Sequence, residues 1–372
     1  MKILLCTTTF RNITNGPTKF ANLLYQNGNG IYGIEVHILT EDVSEDTERL
    51  YKCKLGSIKK LLPLAPVYRM FKYYNKANQL NKLYDFDYIL YNNAIYGLIH
   101  SLCKQNVVGF INDYNNQKNI SGDISIFNYA YIKKTIFKQF ERMAISSSKF
   151  IIANSDYLTN LLRSAYPKHK EKIIRLYKGL DIVEQLKNDC NWDFEYLKFI
   201  QILFVKNDFL TGGLKILADS LSRIDLFFCV TVIGPAIRYS DQISSFFKTP
   251  NVSVTLLDQQ PQRKIFELMT THQIFCVPSL QEALGVANLE ALQIGIPVVS
   301  SDAGGIPEAL DYGNCGFLSD AGDAQSLQSS LELCIRNKDL RRKKVVHGFE
   351  YVKKFRRELI LSNLKMILDE RI

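Results

Sequence analysis

The alternation of short apolar runs with longer segments of helical periodicity constrains the fold of this chain more than any other feature. Strand-length apolar runs recur at residues 2–8, 34–40, 88–91, 107–111, 150–153, 200–205, 227–233, 252–256, 273–277 and 297–300. Apolar strands separated by helices indicate parallel sheets that are covered by helices on both faces. The expected fold class is therefore α/β, with doubly wound, Rossmann-like sheets.

The length of the chain and a local loss of periodicity predict two lobes. The chain has 372 residues, a size that suits two domains, and its periodicity weakens between residues 180 and 198. We expect a first lobe over residues 1–182 and a second over residues 183–354, which face each other across a cleft. The helical segment at about 355–372 can pack back on the first lobe. Ligands are expected in the cleft, because open parallel sheets bind them at the carboxyl ends of their strands.

Several kinds of protein and site are disfavoured by what the chain lacks. No apolar run approaches the roughly 18 residues needed to span a bilayer, and the first apolar stretch is too short for a signal peptide. The eight cysteines are scattered without a Cys-x-x-Cys pair, and the five histidines have no metal-ligand spacing. We therefore expect a cytoplasmic protein with free thiols and no metal. Asp85 and Asp87 are expected in a solvated turn before a strand rather than in a metal site.

The positive charge of the chain is concentrated in its first half. Residues 1–190 contain 26 Lys and Arg against 16 Asp and Glu, whereas residues 191–372 contain 20 against 21. A basic half indicates an anionic partner, such as phosphate groups or a membrane surface. Segments 51–74 and 131–142 interleave cations with aromatic and aliphatic residues, which suits a membrane interface, although an ordinary solvated face has the same pattern. No nucleic-acid motif accompanies the charge.

One glycine motif is a false lead. Gly28, Gly30 and Gly33 match the spacing of a dinucleotide-binding loop. That loop has to follow a strand and open a helix, so that the pyrophosphate meets the amino end of the helix. Here the glycines follow a helical segment and precede a strand. A glycine that ends the helix is therefore the expected structure, and no NAD site follows.

The segment with the clearest chemistry is residues 277–308, VPSLQEALGVANLEALQIGIPVVSSDAGGIPE. A strand ends at Val277, a polar loop carries Glu282, and a helix is predicted from about Val286 until Gly295 ends it. Gly285 permits a ligand to approach the backbone closely. The amino end of the helix presents free N–H groups and partial positive charge, which suit a diphosphate.

This segment closely resembles the Glu-x7-Glu signature of the family-4 retaining glycosyltransferases (glycosyl transferases group 1), which have the GT-B fold. The resemblance includes the preceding Pro-Ser, the intervening glycine, Gly-x-Pro-Val-Val and the Gly-Gly-x-x-Glu tail. It implies that Glu282 contacts the donor sugar and that Glu290 binds the ribose hydroxyls. It also implies that backbone amides bind the diphosphate, at Leu284, Gly285, Val286 and Ala287. For Glu308, the last residue of the motif, a purely structural role such as bracing the Gly304-Gly305 loop is as compatible with the pattern as a role in binding.

Other segments extend the resemblance, with two departures. The first strand and the loop around Gly16 resemble the family's glycine loop, which reaches the donor phosphates or the acceptor. The loop after the strand at 200–205 often carries an arginine and a lysine in the family, but Thr211 or Gly212 occupies the lysine position, and we expect Lys206 to substitute. Asn112 replaces a histidine of many members; an amide can hydrogen-bond a sugar hydroxyl but cannot shuttle a proton near pH 7. Asn112 and Asp113 are also compatible with ordinary residues at the end of a strand.

Taken together, these features predict a retaining, metal-independent hexosyl-type glycosyltransferase that needs no cofactor besides its donor substrate. We expect a UDP- or GDP-sugar donor and a saccharide acceptor, most simply lipid-linked, in the biosynthesis of a bacterial-type surface polysaccharide such as lipopolysaccharide or capsule. The acceptor-binding residues are not identified. The basic half favours a peripheral position on the inner face of the cell membrane. The alternatives are a catalytically weak sugar-nucleotide-binding protein and a sugar-nucleotide epimerase.

Overall fold

The computed structural model divides the chain into two compact units. The amino-terminal unit comprises Met1–Gly179 together with Arg357–Ile372, and the carboxyl-terminal unit comprises Leu180–Arg356. The structure describes residues 1–11, 16–28, 32–56, 65–104, 106–113, 129–181, 194 and 197–371, without the side chains of 129–133. Most of the junction predicted between residues 180 and 198, including Trp192, lies outside the described residues.

The amino-terminal unit contains a parallel sheet. Over the described residues its strand order is β3-β2-β1-β4-β5-β6-β7. The strands are β1 (Lys2–Cys6), β2 (Glu35–Thr40), β3 (Leu50–Lys52), β4 (Tyr88–Tyr91), β5 (Val107–Ile111), β6 (Phe150–Ala153) and β7 (Ile173–Arg175). The order reverses at β1, which pairs with β2 on one side and β4 on the other. Such a reversal opens a crevice at the carboxyl ends of the strands.

The helices of this unit come from both ends of the chain. They are α1 (Gly16–Asn27), α2 (Ala65–Tyr84), α3 (Leu98–Cys103), α4 (Tyr129–Ser147), α5 (Asp156–Ala165) and the carboxyl-terminal α13 (Arg357–Asp369). Helix α13 packs in the core of the unit through Ile360, Leu361 and Leu364, which are buried with strand residues. The hydroxyl of Tyr88 donates to the carbonyl of Leu368 at 3.0 Å. The last helix therefore completes the first unit.

The carboxyl-terminal unit repeats the same architecture. Its parallel sheet has the order β10-β9-β8-β11-β12-β13. The strands are β8 (Ile200–Val205), β9 (Phe228–Ile233), β10 (Val252–Leu257), β11 (Ile274–Val277), β12 (Val298–Ser301) and β13 (Phe317–Ser319). Its helices are α6 (Leu214–Leu221), α7 (Ser240–Ser244), α8 (Gln262–Thr271), α9 (Val286–Ile294), α10 (Ile306–Ala309), α11 (Ala324–Arg336) and α12 (Lys338–Tyr351). The order reverses between β8 and β11, so the ends of these two strands mark the crevice of this unit.

Gly28 of the glycine motif and Asp87 of the Asp-x-Asp pair both have structural roles. Gly28 follows α1, and its N–H donates to the carbonyl of Leu24 at 2.8 Å, so this glycine ends a helix as predicted. Gly30 lies outside the described residues. The carboxylate of Asp87 accepts the N–H of Lys2 at 2.7 Å, so it satisfies the start of β1. Among the described residues, no helix is both long and apolar enough to cross a membrane.

Candidate active site

The amino end of α9 is built by a left-handed glycine. After β11 ends at Val277, the chain runs through a loop to Gly285, whose φ of 87° and ψ of 53° turn it into the helix. No side chain caps the helix at this residue. The N–H of Asn288 donates to the carbonyl of Gly285 at 2.9 Å. Val286 and Ala287 therefore present the first N–H groups, for which a helix contains no acceptors.

Two further glycines hold the loop that carries Glu282. The N–H of Gly305 donates to the carbonyl of Glu282 at 3.0 Å. A Cβ atom on Gly304 would lie 2.0 Å from the carbonyl oxygen of Glu282, and one on Gly305 would lie 2.1 Å from that of Ala283. Only glycine, which has a hydrogen atom in place of Cβ, fits at these two positions. The Gly-Gly pair of the motif therefore supports the backbone under Glu282.

Glu282 forms an ion pair with Lys206. The lysine follows β8 directly, and its Nζ donates to Oε2 of the glutamate. The side chains are 25% and 26% exposed, so a ligand can reach both. Gly212 approaches the lysine from the same loop, where a Cβ atom would lie 2.9 Å from Cγ of Lys206. The fold thus brings together the two charged side chains that the sequence indicated for the reaction.

The loop of Lys206 is joined to the loop of Glu282 by backbone contacts. The N–H of Leu280 donates to the carbonyl of Thr211 at 2.8 Å. Gly213 has a φ of 76° and passes so close to Pro278 that a Cβ atom would lie 2.0 Å from its carbonyl oxygen. Burial raises the pKa of Asp208, but hydrogen bonds from Thr211 and the charge of Lys206 outweigh it, and the net pKa is lowered. The carboxylate therefore stays ionised and accepts the N–H of Thr211 at 3.1 Å.

The remaining predicted donor-binding residues of this unit lie around the same helix start. Leu284 is buried, so its backbone rather than its side chain is available to a ligand. Glu290 lies in the second turn of α9 and is also buried. Glu308 is buried in α10, and its carbonyl accepts the hydroxyl of Tyr351 at 2.6 Å. Residues 282–290 thus form one continuous segment of the candidate site, while Glu308 is buried in the core.

In the amino-terminal unit, Asn112 lines a pocket of about 470 Å³ at the carboxyl ends of β1, β4 and β5. Its Nδ2 donates to the carbonyl of Asn92 at 2.6 Å. Nδ2 of Asn92 donates in turn to the carbonyl of Pro17 at 2.9 Å, which connects the pocket to the start of α1. Asp113 also lines the pocket. Asn112 thus holds neighbouring backbone and presents its face to a cavity.

Gly16 is the first residue of α1 and lies beside a buried lysine. A Cβ atom on Gly16 would lie 3.2 Å from Nζ of Lys178, a residue that is 6% exposed. Residues 12–15, which precede the helix, lie outside the described residues. The glycine thus leaves space for a cationic side chain at the amino end of the helix. Gly16 and Asn112 belong to the amino-terminal unit, and Lys206, Glu282 and Glu290 to the other.

The pocket contains charged residues that motif-based reasoning missed. Arg69 of α2 and Glu41 form an ion pair in its wall, with 2.8 Å between Nε and Oε1. The hydroxyl of Tyr73 donates to the same carboxylate at 3.2 Å. Burial raises the pKa of Glu41 although the guanidinium opposes this. A period-3.6 pattern in α2 identifies the buried face but not the partner of Arg69, since Glu41 lies 28 positions earlier.

One known family model matches the carboxyl-terminal unit, and one known relative matches nearly the whole chain. Residues 195–346, in the carboxyl-terminal unit, match the family model described as glycosyl transferases group 1. Over 343 residues the chain is 28% identical to an uncharacterized glycosyltransferase of Methanocaldococcus jannaschii, covering 91% of this chain and 90% of that protein.

Three solved structures share the fold over nearly the whole chain. Sucrose-phosphate synthase of Thermosynechococcus elongatus superposes with a TM-score of 0.78 at 15% identity, covering 99% of this chain and 98% of the other. Anabaena HepE, solved with UDP-glucose, has a TM-score of 0.70 at 16% identity over 100% of both chains. WaaG, a glycosyltransferase involved in lipopolysaccharide biosynthesis, has a TM-score of 0.71 at 16% identity over 98% and 99%. With two Rossmann-like parallel-sheet units, this chain has the GT-B fold, and its carboxyl-terminal unit matches the glycosyl transferases group 1 model.

Proposed function

We propose that the protein transfers a sugar from a nucleoside diphosphate donor with retention of the anomeric configuration, and that this transfer requires no metal ion. The observation that carries the proposal is the uncapped start of α9 at Gly285, next to the Lys206–Glu282 pair. A helix start supplies N–H donors and partial positive charge for a diphosphate. Lys206, in the neighbouring loop after β8, adds a full positive charge.

The reaction assigned to this site breaks the bond between the anomeric carbon and a phosphate oxygen of the donor. Negative charge then develops on the diphosphate, and donors that are already oriented stabilise it most effectively. The amides at Leu284–Ala287 and the ammonium of Lys206 take this role, while Glu282 binds sugar hydroxyls and Glu290 the ribose. The acceptor hydroxyl forms the new bond on the face that the diphosphate leaves, and its proton passes to a phosphate oxygen.

For the donor we propose a UDP- or GDP-sugar, and the HepE complex with UDP-glucose favours UDP. A thermal-shift screen of nucleotide diphosphate sugars identifies the ligand, and transfer is then measured with and without EDTA. Activity that survives EDTA supports the metal-independent reaction. Activity that EDTA abolishes and Mg²⁺ restores contradicts it.

The first prediction concerns Glu282 and Lys206. Glu282→Ala is expected to reduce turnover at least roughly 100-fold, and Lys206→Met to reduce it by a similar factor, because each removes a group that contacts the donor in the transition state. The matched control is Glu267→Ala, a change of an exposed glutamate that also pairs with a lysine in the same unit. Wild-type turnover by the Glu282 variant would remove this residue from the site.

For the acceptor we propose a saccharide that binds in the pocket of the amino-terminal unit. Asn112, Asp113, Glu41 and Asn92 supply donors and acceptors for sugar hydroxyls, and Tyr96 supplies an aromatic face. Gly16, the first residue of α1, contacts either the donor phosphates or this acceptor. Since Asn112 cannot act as a base near pH 7, its role in catalysis is to hold the acceptor.

We further propose that the acceptor is lipid-linked and that the protein acts at the inner face of the cell membrane in surface-polysaccharide biosynthesis. WaaG, which shares the fold, is involved in lipopolysaccharide biosynthesis. Helix α4 exposes Ile136 and Met143 on one face, and Lys138 and Arg142 are exposed on the same helix. Apolar side chains flanked by cations suit an anionic lipid interface. Residues 57–64 of the other basic segment, and the side chains of 131–133, lie outside the described residues.

The second prediction is that the chain sediments with anionic vesicles at low salt and not with neutral ones. Replacing Ile136 and Met143 together by serine is expected to weaken this binding about tenfold or more, because both apolar contacts are lost. Replacing Leu210 and Leu280, which are exposed in the other unit, is the control. Equal sedimentation of all three proteins would argue against α4 as the contact.

A further inference from the structure

Three side chains with different metal-binding donor atoms converge in the carboxyl-terminal unit. Within the described part of the chain, one oxygen of Asp311, Sγ of Cys315 and one ring nitrogen of His347 all lie within 4.8 Å of one another. Asp311 and Cys315 belong to the turn between α10 and β13, and His347 projects from α12. The residues are 4 and 32 positions apart, a spacing that the sequence alone does not mark as a ligand set.

The three donor atoms lie near one another, and two of them are in contact. Nε2 of His347 lies 2.8 Å from Oδ2 of Asp311, so these two ligand atoms are already in contact. Nδ2 of Asn314 donates to the same oxygen of Asp311 at 3.3 Å and so orients the carboxylate, as hydrogen bonds to metal-binding side chains do. Cys315 is 1% exposed, whereas the side chain of His347 is 48% exposed. An ion can therefore enter from the solvent side and meet a buried sulfur.

We propose that Asp311, Cys315 and His347 bind a Zn²⁺ ion that ties the turn before β13 to helix α12. Sulfur, imidazole nitrogen and carboxylate oxygen are the three ligand types that zinc uses, and three protein ligands leave a fourth position for water. A thiolate ligand disfavours Mg²⁺ and Ca²⁺, which prefer oxygen. On binding, the Cys315 thiol releases its proton to solvent and the sulfur forms the bond to zinc.

The charges around the cluster are compatible with a divalent cation. Among the described residues, the positive charges of Lys344 and Lys354 act on the Cys315 thiol and lower its pKa, against the larger effect of burial. Nζ of Lys344 donates to the carbonyl of Gly313, so this ammonium is held by the backbone of the turn. The thiolate and the carboxylate supply two negative charges, which balance the ion locally. The inference is independent of the proposed transfer reaction, since none of its residues belongs to the donor or acceptor sites.

The test is metal binding by the purified full chain. The apoprotein is expected to take up one Zn²⁺ ion per chain, and Co²⁺ in its place is expected to give a sulfur-to-cobalt charge-transfer band in the near ultraviolet. Zn²⁺ is expected to raise Tm, because an ion that binds the folded state stabilises it. Mg²⁺ is expected to change neither signal.

Variants separate this site from adventitious binding. His347→Gln changes an exposed residue, so the chain is expected to fold, and it should lose both the cobalt band and the zinc-dependent rise in Tm. Cys315→Ser should retain at most weak Co²⁺ binding without the sulfur band. Cys103→Ser, which removes an exposed thiol from the other unit, should behave as wild type. A wild-type chain without the band, or a band that survives in both site variants, would overturn the proposal.

Discussion

The ion pair of Lys206 and Glu282 links residues that lie 76 positions apart. Exposed ion pairs contribute little to stability, and these side chains are a quarter exposed, so the importance of the pair is positional. Each side chain holds the other in position where the two loops meet, before any ligand binds. In the proposed reaction, the ammonium turns to the donor diphosphate from a position in which the glutamate has already oriented it.

Another residue-scale feature, His100, lies in the amino-terminal unit and has a consequence for stability. Its ring is fully buried on α3, and Nδ1 lies 3.0 Å from the hydroxyl of Tyr91. Burial, assisted by the charge of Lys104, lowers the pKa of His100 from 6.5 to about 4. The folded unit therefore keeps this imidazole neutral. Below pH 6.5 the unfolded chain binds the proton more readily than the folded one.

The third prediction follows from this difference. The stability that His100 contributes is complete above its ordinary pKa of 6.5 and is lost as the pH falls towards about 4, by about 3 kcal/mol in all. His100→Leu is expected to flatten this part of the pH dependence of urea unfolding, followed by circular dichroism. His169→Gln, a change of a half-buried histidine whose pKa is also lowered by burial, should leave most of it intact. Equal slopes for wild type and His100→Leu would show that another group titrates.

At the scale of elements, the loop before α9 depends on a neighbouring loop. The segment from Pro278 to Gly285 has no regular structure and takes its shape from contacts with Gly304, Gly305 and Thr211. These contacts are made by backbone atoms, so they persist whatever the side chains of the loop do. The backbone of Glu282 is therefore held in place by the strands β11 and β12 that carry the two loops.

The fourth prediction tests this support. Gly304→Ala places a Cβ atom 2.0 Å from the carbonyl oxygen of Glu282 and must displace that loop. A misplacement of about 1 Å costs roughly 100-fold in rate, so kcat/KM is expected to fall by about that factor. Gly322→Ala is the control, because its φ of 84° carries the same left-handed strain while its nearest neighbour lies 3.6 Å away. Similar losses in both variants would attribute the effect to backbone strain.

At the scale of the whole molecule, the first unit is completed by the last helix. Helix α13 buries Ile360, Leu361, Leu364 and Leu368 in the core that β1 and β4 form, while its opposite face remains exposed at Leu359 and Met366. The unit formed by the first half of the chain thus requires residues that are more than 170 positions away in sequence. Partial synthesis or truncation leaves its core open.

The fifth prediction compares two leucines of that helix. Leu364→Ala is expected to destabilise the amino-terminal unit by about 2–5 kcal/mol, because it removes a fully buried side chain and leaves a cavity. Leu359→Ala, on the exposed face, is expected to change stability by about 0.5 kcal/mol or less. Amide hydrogen exchange in β1 and β4 measures the difference in the unit concerned. A loss of protection confined to the strands of the other unit would contradict the assignment of α13.

The sequence by itself determined the fold class, the central strands and the segment around Glu282. Strands such as β4, β5, β6 and β8 begin and end where the apolar pattern predicts. They are buried on both faces, so their apolar character is local information. The helix start at Gly285 was equally predictable. Gly285 and Gly295 flank α9 because each adopts a left-handed backbone conformation that glycine favours, which is a local property of the chain.

Only the tertiary structure decided the shortest edge strands and the partners of the charged groups. Strands β3, β7 and β13 were not predicted; each has three residues and lies at a sheet edge, where pairing with a neighbour rather than the local pattern defines it. Likewise Lys206 meets Glu282, Arg69 meets Glu41 and His347 meets Asp311 across long separations. An ion pair depends on the distance between atoms in space, and only the packed fold sets that distance.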